Sequence, residues 1–240
     1  MARLDILIAR NLGWSRAAAR EAIADGIVLI DGAPATEARL DIDMARLPLE
    51  AIVDGERIEL FDVARVLLNK PIGCVTALRD PRHPTAYALL ADAPLHDELR
   101  PVGRLDIDTS GLLLWTTDGA EIQRLTHPKR AVPRTYQAAL ARDPQPLPAE
   151  LVLDDGHRPR IGELTPLARA DAHPSLDVPS DAPVLASITI TGGAYHEVRR
   201  IFAALGSHVL GLCRVSYGDV ALPTDLAPGS YRLLDRIVPA

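Results

Sequence analysis

A short apolar run that follows a polar, glycine-bounded loop places the tightest limit on how this chain can fold. Residues 112–116 (LLLWT) are too few for a helix, and their composition is typical of a strand buried in a sheet. The preceding loop, residues 103–111, carries Arg104, Asp106 and Asp108. A nearby cation lowers the pKa of a carboxyl group, and an ionised, held aspartate can serve as nucleophile, general base or metal ligand. The sequence therefore predicts a reactive carboxylate just before a buried strand.

The spacing of the loop residues excludes a calcium site. Asp106, Asp108, Ser110 and Gly111 fit positions 1, 3, 5 and 6 of a calcium-binding loop, but Thr117 stands at position 12, where a bidentate glutamate is required. Two interpretations remain open on these residues alone. Either the two aspartates only bond nearby backbone amides in a turn, or Asp106 performs chemistry.

The first 60 residues are predicted to form a small helix–helix–strand domain. One apolar face of the first helix is formed by Leu4, Leu7, Ile8 and Leu12. Ser15 is expected to cap a second helix that runs to about residue 25. A strand at residues 27–30 is followed by a tight Asp31-Gly32 turn, and another strand is expected at residues 57–61.

Residues 61–240 are predicted to form a larger domain of mixed strands and helices. Strands are expected at residues 66–69, 112–116, 136–140 and 184–191. Helices are expected from Asp118, as the cap, to Leu125, and from Tyr195 to Leu205. The Pro-, Asp- and Ser-rich residues 171–183 are expected to form a mobile surface loop. The whole chain is therefore predicted to be an α+β protein.

The last predicted helix separates an apolar face from a basic one. Its apolar stripe, at positions i, i+3, i+4 and i+7, is Val198, Ile201, Phe202 and Leu205. The opposite side carries His196, Arg199 and Arg200. These three side chains cannot belong to the same core, so they form either a solvated basic face or part of a site.

Composition is typical of a soluble cytoplasmic protein. No run approaches the 18 or so apolar residues of a membrane span, and the first residues lack the apolar core of a secretion signal. Cys74 and Cys213 are the only cysteines, which is too few for a disulfide scaffold or a zinc site. No heptad repeat indicates an oligomer, so a monomer without a membrane partner is expected.

Positive charge is bunched, although the net charge of the chain is −6. Residues 1–20 hold a single acid, Asp5, against four arginines: Arg3, Arg10, Arg16 and Arg20. Residues 124–136 hold no acid and five basic side chains: Arg124, His127, Lys129, Arg130 and Arg134. Local basic clusters of this kind are compatible with nucleic-acid binding despite the acidic total.

The first domain resembles the S4 RNA-binding module. The resemblance rests on R-L-D-x-x-I followed by S-R-x-x-A-x-x-x-I-x-x-G-x-V-x-x-D-G, within residues 2–33. It implies that Arg3, Arg16 and Arg20 face structured RNA. The domain departs from the module in charge, since residues 1–60 hold 7 arginines and 11 acids.

The loop string G-R-L-D-x-x-T-x-G-L-L-L-x-T-x-D-G, residues 103–119, resembles the catalytic loop of pseudouridine synthases that carry an N-terminal S4 module. Other motifs match in the same order at residues 68–73, 80–85, 126–136 and 193–206. The resemblance implies an S4-like domain at 1–60 and a catalytic domain at 61–240 with a mixed, largely antiparallel sheet flanked by helices. It also implies an isomerisation of uridine that needs neither cofactor nor metal.

The same resemblance implies roles for individual residues. Asp106 would be the nucleophile, attacking either the sugar C1′ or the ring C6, and Tyr136 would lie against the target base. Arg199 would reach Asp106 as an ion-pair partner, and Arg104 would fill the gap left by a flipped nucleotide. Further contacts with the RNA or the active-site loop are expected from Lys70, His196 and Arg200.

Two features favour a target in small-subunit ribosomal RNA. They are the Tyr195-His196 pair and the sequence LDIDT at residues 105–109. Relatives that modify large-subunit RNA usually carry Asn-Arg in place of the Tyr-His pair. The resemblance then implies uridine 516 of 16S ribosomal RNA, in naked RNA or in a partly assembled subunit. Two alternatives stay open: a synthase that acts on 23S ribosomal RNA, and a non-catalytic S4-type RNA-binding protein.

Overall fold

The computed structural model describes residues 1–180 and 182–237, which form two compact units. The first comprises Met1–Ala64 and Asp92–Leu99, and the second comprises Arg65–Ala91 and Arg100–Ala240. The domain boundary expected after residue 60 stays a prediction.

Regular elements cover much of both units. The strands are β1 (Ala2–Arg3), β2 (Val28–Ile30), β3 (Ala33–Pro34), β4 (Asp41–Ile42), β5 (Leu49–Val53), β6 (Glu56–Leu60), β7 (Arg65–Lys70), β8 (Arg100–Pro101), β9 (Thr109–Thr116), β10 (Arg134–Leu140), β11 (Ile161–Pro166), β12 (Val184–Ile190), β13 (Val209–Tyr217), β14 (Val220–Ala221) and β15 (Tyr231–Leu233). The helices are α1 (Leu4–Leu12), α2 (Arg16–Ala24), α3 (Gly119–Thr126) and α4 (Glu197–Ala204). Short 3₁₀ turns lie at Met44–Arg46, Ala86–Leu90, His96–Glu98, Pro128–Arg130 and Arg169–Asp171.

The first unit packs α1 and α2 with a four-stranded antiparallel sheet in the order β3-β2-β5-β6. The predicted apolar face of α1 is confirmed, because Leu4, Leu7 and Ile8 are fully buried. The hydroxyl of Ser15 accepts a hydrogen bond from the Ala18 amide and caps α2 as expected. These helices therefore follow directly from local sequence signals.

The second unit is built on one sheet in the order β11-β12-β10-β13-β9-β7-β15, with β14 beside β13 and β8 beside β9. Only the described pair β9–β13 runs parallel, so the expected mixed, largely antiparallel sheet is confirmed. All eight residues of β9 are buried, which agrees with the apolar run in the sequence. Asp118 caps α3 by accepting from the amides of Ala120 and Glu121.

Residues 171–183 form an irregular loop, as expected, in the part that the structure describes, but this loop does not lie wholly at the surface. His173, Ser175, Leu176 and Ala182 are buried. The Ser110 hydroxyl donates to the Ser175 carbonyl oxygen at 2.6 Å, so the polar residues of this segment satisfy polar groups of the sheet. The Pro-, Asp- and Ser-rich composition of this segment therefore did not indicate that part of it is packed against the sheet.

No helix within the described ranges is both long and apolar enough to cross a membrane.

Candidate active site

Four neighbouring strands place a lysine, a glycine, an arginine and a tyrosine in one row across the large sheet. The strand register pairs Lys70 of β7 with Gly111 of β9, Gly111 with Arg214 of β13, and Arg214 with Tyr136 of β10. The chain enters β9 from the loop that carries Asp106. A lysine, an arginine and a tyrosine are thus fixed by backbone pairing near the suspected nucleophile.

Lys70 holds the loop from inside the protein. The side chain has no exposed surface, and Nζ donates to the carbonyl oxygens of Pro71 (3.0 Å), Asp106 (3.0 Å) and Thr109 (2.9 Å). Burial lowers the pKa of Lys70, although nearby Cys74 and Asp106 act in the opposite direction. The expected contact with the active-site loop is therefore present, and because all three ammonium donors are used by the loop and by the residue that follows Lys70, a contact with RNA is not favoured by the geometry.

Two further bonds hold the same loop. The Gly73 amide donates to the Ile107 carbonyl at 2.7 Å. The Thr76 hydroxyl donates to the Leu105 carbonyl at 2.9 Å and accepts from the Leu105 amide at 3.1 Å. The backbone on both sides of Asp106 is thereby fixed, while its side chain stays free to face outward.

Asp106 lies on the wall of a cavity of about 720 Å³. Its side chain is 35% exposed, and Oδ1 lies 3.6 Å from Nε2 of His196. His196 precedes α4 with φ of 49°, a left-handed conformation that is strained for a residue with a Cβ. Its ring stacks on that of Tyr195, with 3.8 Å between centroids. The described residues contain no cluster of metal-binding side chains.

The ion-pair partner of Arg199 differs from the expected one. Nη2 of Arg199 lies 3.0 Å from Oδ2 of Asp108, not at Asp106, and also donates to the Asp108 carbonyl at 3.2 Å. Nη1 donates to the Val209 carbonyl at 3.3 Å. The predicted pairing is wrong because the planar guanidinium spans the end of the loop and the first residue of β13. Arg199 still lines the cavity.

Arg214 is a cavity residue that no motif in the sequence indicated. It is 2% exposed, and Nε donates to the Leu112 carbonyl at 2.8 Å. Nη1 lies 3.5 Å from the hydroxyl of Tyr136, which also lines the cavity. The available signal was a single arginine inside the apolar strand β13, LGLCRV. Tyr136 is 8% exposed, and its role against a base stays a prediction.

An acid inside the site is paired with a histidine. Glu197 is buried, accepts from the Ala194 amide at 3.0 Å, and lies 2.9 Å from Nε2 of His157. Its carboxylate occupies the space above Gly192, where an added Cβ would come within 2.3 Å. His157 lines the cavity with Arg158. Residues 157–160 therefore form a wall that local sequence patterns did not predict.

Arg200 is committed to acidic partners instead of standing free for RNA. Nη2 lies 2.5 Å from Oδ1 of both Asp154 and Asp155. Its expected contact with RNA is therefore not favoured by the geometry. Arg104, in contrast, is exposed and lines the cavity, so its proposed place beside a flipped nucleotide stays a prediction.

The three arginines of the S4-like unit differ in what they contact. Arg3 and Arg20 both bind the buried carboxylate of Asp5, each at 2.8 Å. Arg16 is exposed on α2. Burial by itself raises the pKa of Asp5, but hydrogen bonds from Arg20 and Arg3 outweigh it and hold that pKa below its ordinary value. RNA binding by these three residues stays a prediction.

Comparison with known proteins identifies the family. Residues 64–204 match the RNA pseudouridylate synthase family, and residues 2–43 match the S4 domain. The chain therefore belongs to the RNA pseudouridylate synthases, enzymes that isomerise uridine in RNA to pseudouridine.

Individual relatives match over nearly the whole chain. The ribosomal small subunit pseudouridine synthase A of Haemophilus influenzae is 38% identical over 98% of this chain and 96% of its own length. The protein of the same name from Escherichia coli is 38% identical over 97% and 96%. A crystal structure of a pseudouridylate synthase has a TM-score of 0.56 and 33% identity, covering 98% of this chain and 96% of its own.

Proposed function

We propose that this protein converts uridine 516 of 16S ribosomal RNA to pseudouridine, with Asp106 as the nucleophile. The observation that carries the proposal is the outward-facing carboxylate of Asp106, on the wall of a cavity that also contains Tyr136. The cavity volume of about 720 Å³ lies within the range usual for small-molecule sites. The small-subunit target is supported by the names of the relatives that match nearly the full chain.

The reaction needs a held carboxylate and a held base. The bond between N1 and C1′ of the uridine breaks, the uracil rotates, and a bond from C1′ to C5 forms; the hydrogen lost from C5 is balanced by one gained at N1. Asp106 attacks C1′ or C6 and is later released. Lys70 and Arg199 keep the loop in place, and Tyr136 stacks on the base, which is worth about 1–3 kcal/mol.

The remaining cations of the site are proposed to bind RNA around the cavity. Arg158 and Arg160 are exposed at the cavity wall, and Arg104 lines the same cavity. Arg16 of the S4-like unit contributes a second basic surface. We further propose that the enzyme is cytoplasmic and works as a monomer, on naked RNA or on an assembling small subunit.

The first test replaces the nucleophile. Asp106→Asn keeps the size and polarity of the side chain but removes its negative charge, so activity should fall below detection while folding and RNA binding persist. The measurement is tritium release from 16S RNA labelled at uridine C5, beside RNA binding and thermal unfolding. Asp143→Asn, an exposed acid outside the cavity lining, is the matched control and should keep full activity. Turnover by the Asp106→Asn variant would reject the nucleophile.

The second test identifies the target. Pseudouridine is mapped in the ribosomal RNA of a strain that lacks this protein and in the same strain after complementation. Loss and recovery at uridine 516 of 16S RNA is the expected result. Loss at a position in 23S RNA would keep the chemistry and replace the target.

A further inference from the structure

The cavity wall contains a buried guanidinium without a counter-charge. Within the described ranges, Nη2 of Arg214 has no hydrogen-bond partner, and no carboxylate forms an ion pair with this residue. A buried charge without a partner is costly unless some ligand supplies the missing bonds. The residue is therefore unlike Lys70, whose three ammonium donors all bind carbonyl oxygens.

Neighbouring rings fix where this guanidinium can be. Its central carbon lies 5.1 Å from the ring centroid of Tyr217 and 6.0 Å from that of Tyr136. The central carbon of Arg134 also lies over the Tyr217 ring, 4.8 Å from its centroid. Tyr217 is itself held by a hydrogen bond from its hydroxyl to the Leu125 carbonyl at 2.9 Å. The position of Arg214 is thus determined before any substrate arrives.

The chemistry of the detached base supplies a partner of the right kind. When the bond from N1 to C1′ breaks, the electron pair stays with the uracil; when C6 is attacked instead, the pair moves through the ring. Both routes place negative charge on a carbonyl oxygen of the uracil. Fixed N–H donors aimed at such a developing charge are among the most effective catalytic devices.

We propose that Arg214 is a further catalytic residue, whose guanidinium donates hydrogen bonds to the uracil oxygen that becomes anionic while the base is detached. This inference rests on the proposed function and extends it to a residue of β13. Arg214 acts beside Tyr136, which faces the same base, with 3.5 Å between Nη1 and the tyrosine hydroxyl.

A backbone phosphate is a poorer partner for Arg214 than the base. The residue is 2% exposed and lies in a middle strand of the sheet, so a phosphate of a folded RNA cannot approach it without losing its water. Arg158 and Arg160 stand exposed at the same cavity and are the better phosphate ligands. Loss of Arg214 should therefore affect the chemical step and not RNA binding.

The test compares two substitutions by their kcat and by the Kd for RNA. Arg214→Gln shortens the side chain, keeps one polar N–H₂ group and removes the charge; kcat for tritium release should fall about 10²–10³-fold, with Kd within twofold. Arg214→Lys keeps the buried charge without the planar fork, and its kcat should fall at least tenfold. Arg232→Gln, an exposed cation on β15, is the control and should match the unaltered protein.

Each outcome decides something. If Arg214→Gln shows no cooperative thermal unfolding and so is not folded, the kcat of Arg214→Lys tests the inference, because this variant retains the charge. A folded variant with unchanged kcat overturns the inference, and so does a loss confined to Kd, which would make Arg214 a phosphate ligand. Absence of tritium release by the unaltered protein would instead reject the proposed function.

Discussion

At the scale of single residues, the exposure of the Asp106 carboxylate depends on where the N–H donors of Lys70 and Arg199 form their hydrogen bonds. The ammonium group of Lys70 donates hydrogen bonds to backbone carbonyls, and the two terminal nitrogens of Arg199 bind Asp108 and Val209. The loop is held by these cations through its backbone and its second aspartate. The carboxylate of Asp106 is consequently left to face His196 and the cavity.

Gly111 should tolerate no side chain. It has φ of +102°, and an added Cβ would lie 2.3 Å from the Arg214 carbonyl oxygen and 2.8 Å from Sγ of Cys213. Gly111→Ala should lower the free energy of unfolding by about 2–5 kcal/mol, through backbone strain and overpacking. Denaturant unfolding measures this loss.

Gly119→Ala provides the matched control for that substitution. Gly119 begins α3, its φ is not positive, and an added Cβ would meet nothing within 4 Å. This change should leave stability unchanged or raise it by about 0.4–1 kcal/mol. Equal stability of the two variants would contradict the role given to Gly111.

At the scale of elements, local patterns predicted what local forces determine. The stripe of α4 is confirmed, with Val198, Ile201 and Phe202 buried, and so is the buried strand β9. The parallel pairing of β9 with β13 could not be predicted, because register between distant strands depends on the whole sheet. For the same reason, the contacts of Arg214 with Tyr136 and of Arg199 with Asp108 could not be predicted from the sequence.

Asp5 joins three elements of the S4-like unit and should make α1 sensitive to acid. Hydrogen bonds from Arg20 of α2 and Arg3 of β1 outweigh the effect of burial and hold the pKa of Asp5 below its ordinary value. A carboxyl group with a lowered folded pKa contributes stability above its unfolded pKa and loses it as pH falls through the folded pKa. The contribution should therefore be complete at pH 7 and decline below about pH 4.

Replacing this carboxylate tests the linkage. Asp5→Asn should destabilise α1 at pH 7 by about 1–3 kcal/mol, because two charged hydrogen bonds are lost while the partly exposed arginines regain water. Amide hydrogen exchange of α1 from pH 3 to pH 7 measures the difference from the unaltered protein, which should shrink below about pH 4. Glu21→Gln, an exposed acid on α2, should show no such dependence. A difference that is constant with pH would argue against the linkage.

At the scale of the whole molecule, the sequence identified the family and the loop more completely than the cavity. The S4 module, the synthase family and the α+β architecture all followed from motifs in order along the chain. The wall at residues 157–160 did not, because it is formed by a turn that Glu197 and Arg200 bind from α4. Such a contact joins side chains about 40 residues apart, beyond the reach of any periodic pattern.

The acidic total makes RNA binding depend on a few exposed cations. With a net charge of −6, long-range attraction to RNA is weak, so affinity should come from direct phosphate contacts. Arg158 at the cavity wall is ion-paired only with the exposed Glu150 among the described residues, and can exchange that partner for a phosphate. Arg158→Gln should weaken RNA binding. The slope of the plot of log K for RNA association against log salt concentration should become less steep by about 0.7–0.9. Arg232→Gln should leave the slope unchanged, and parallel plots for both variants would remove Arg158 from the interface.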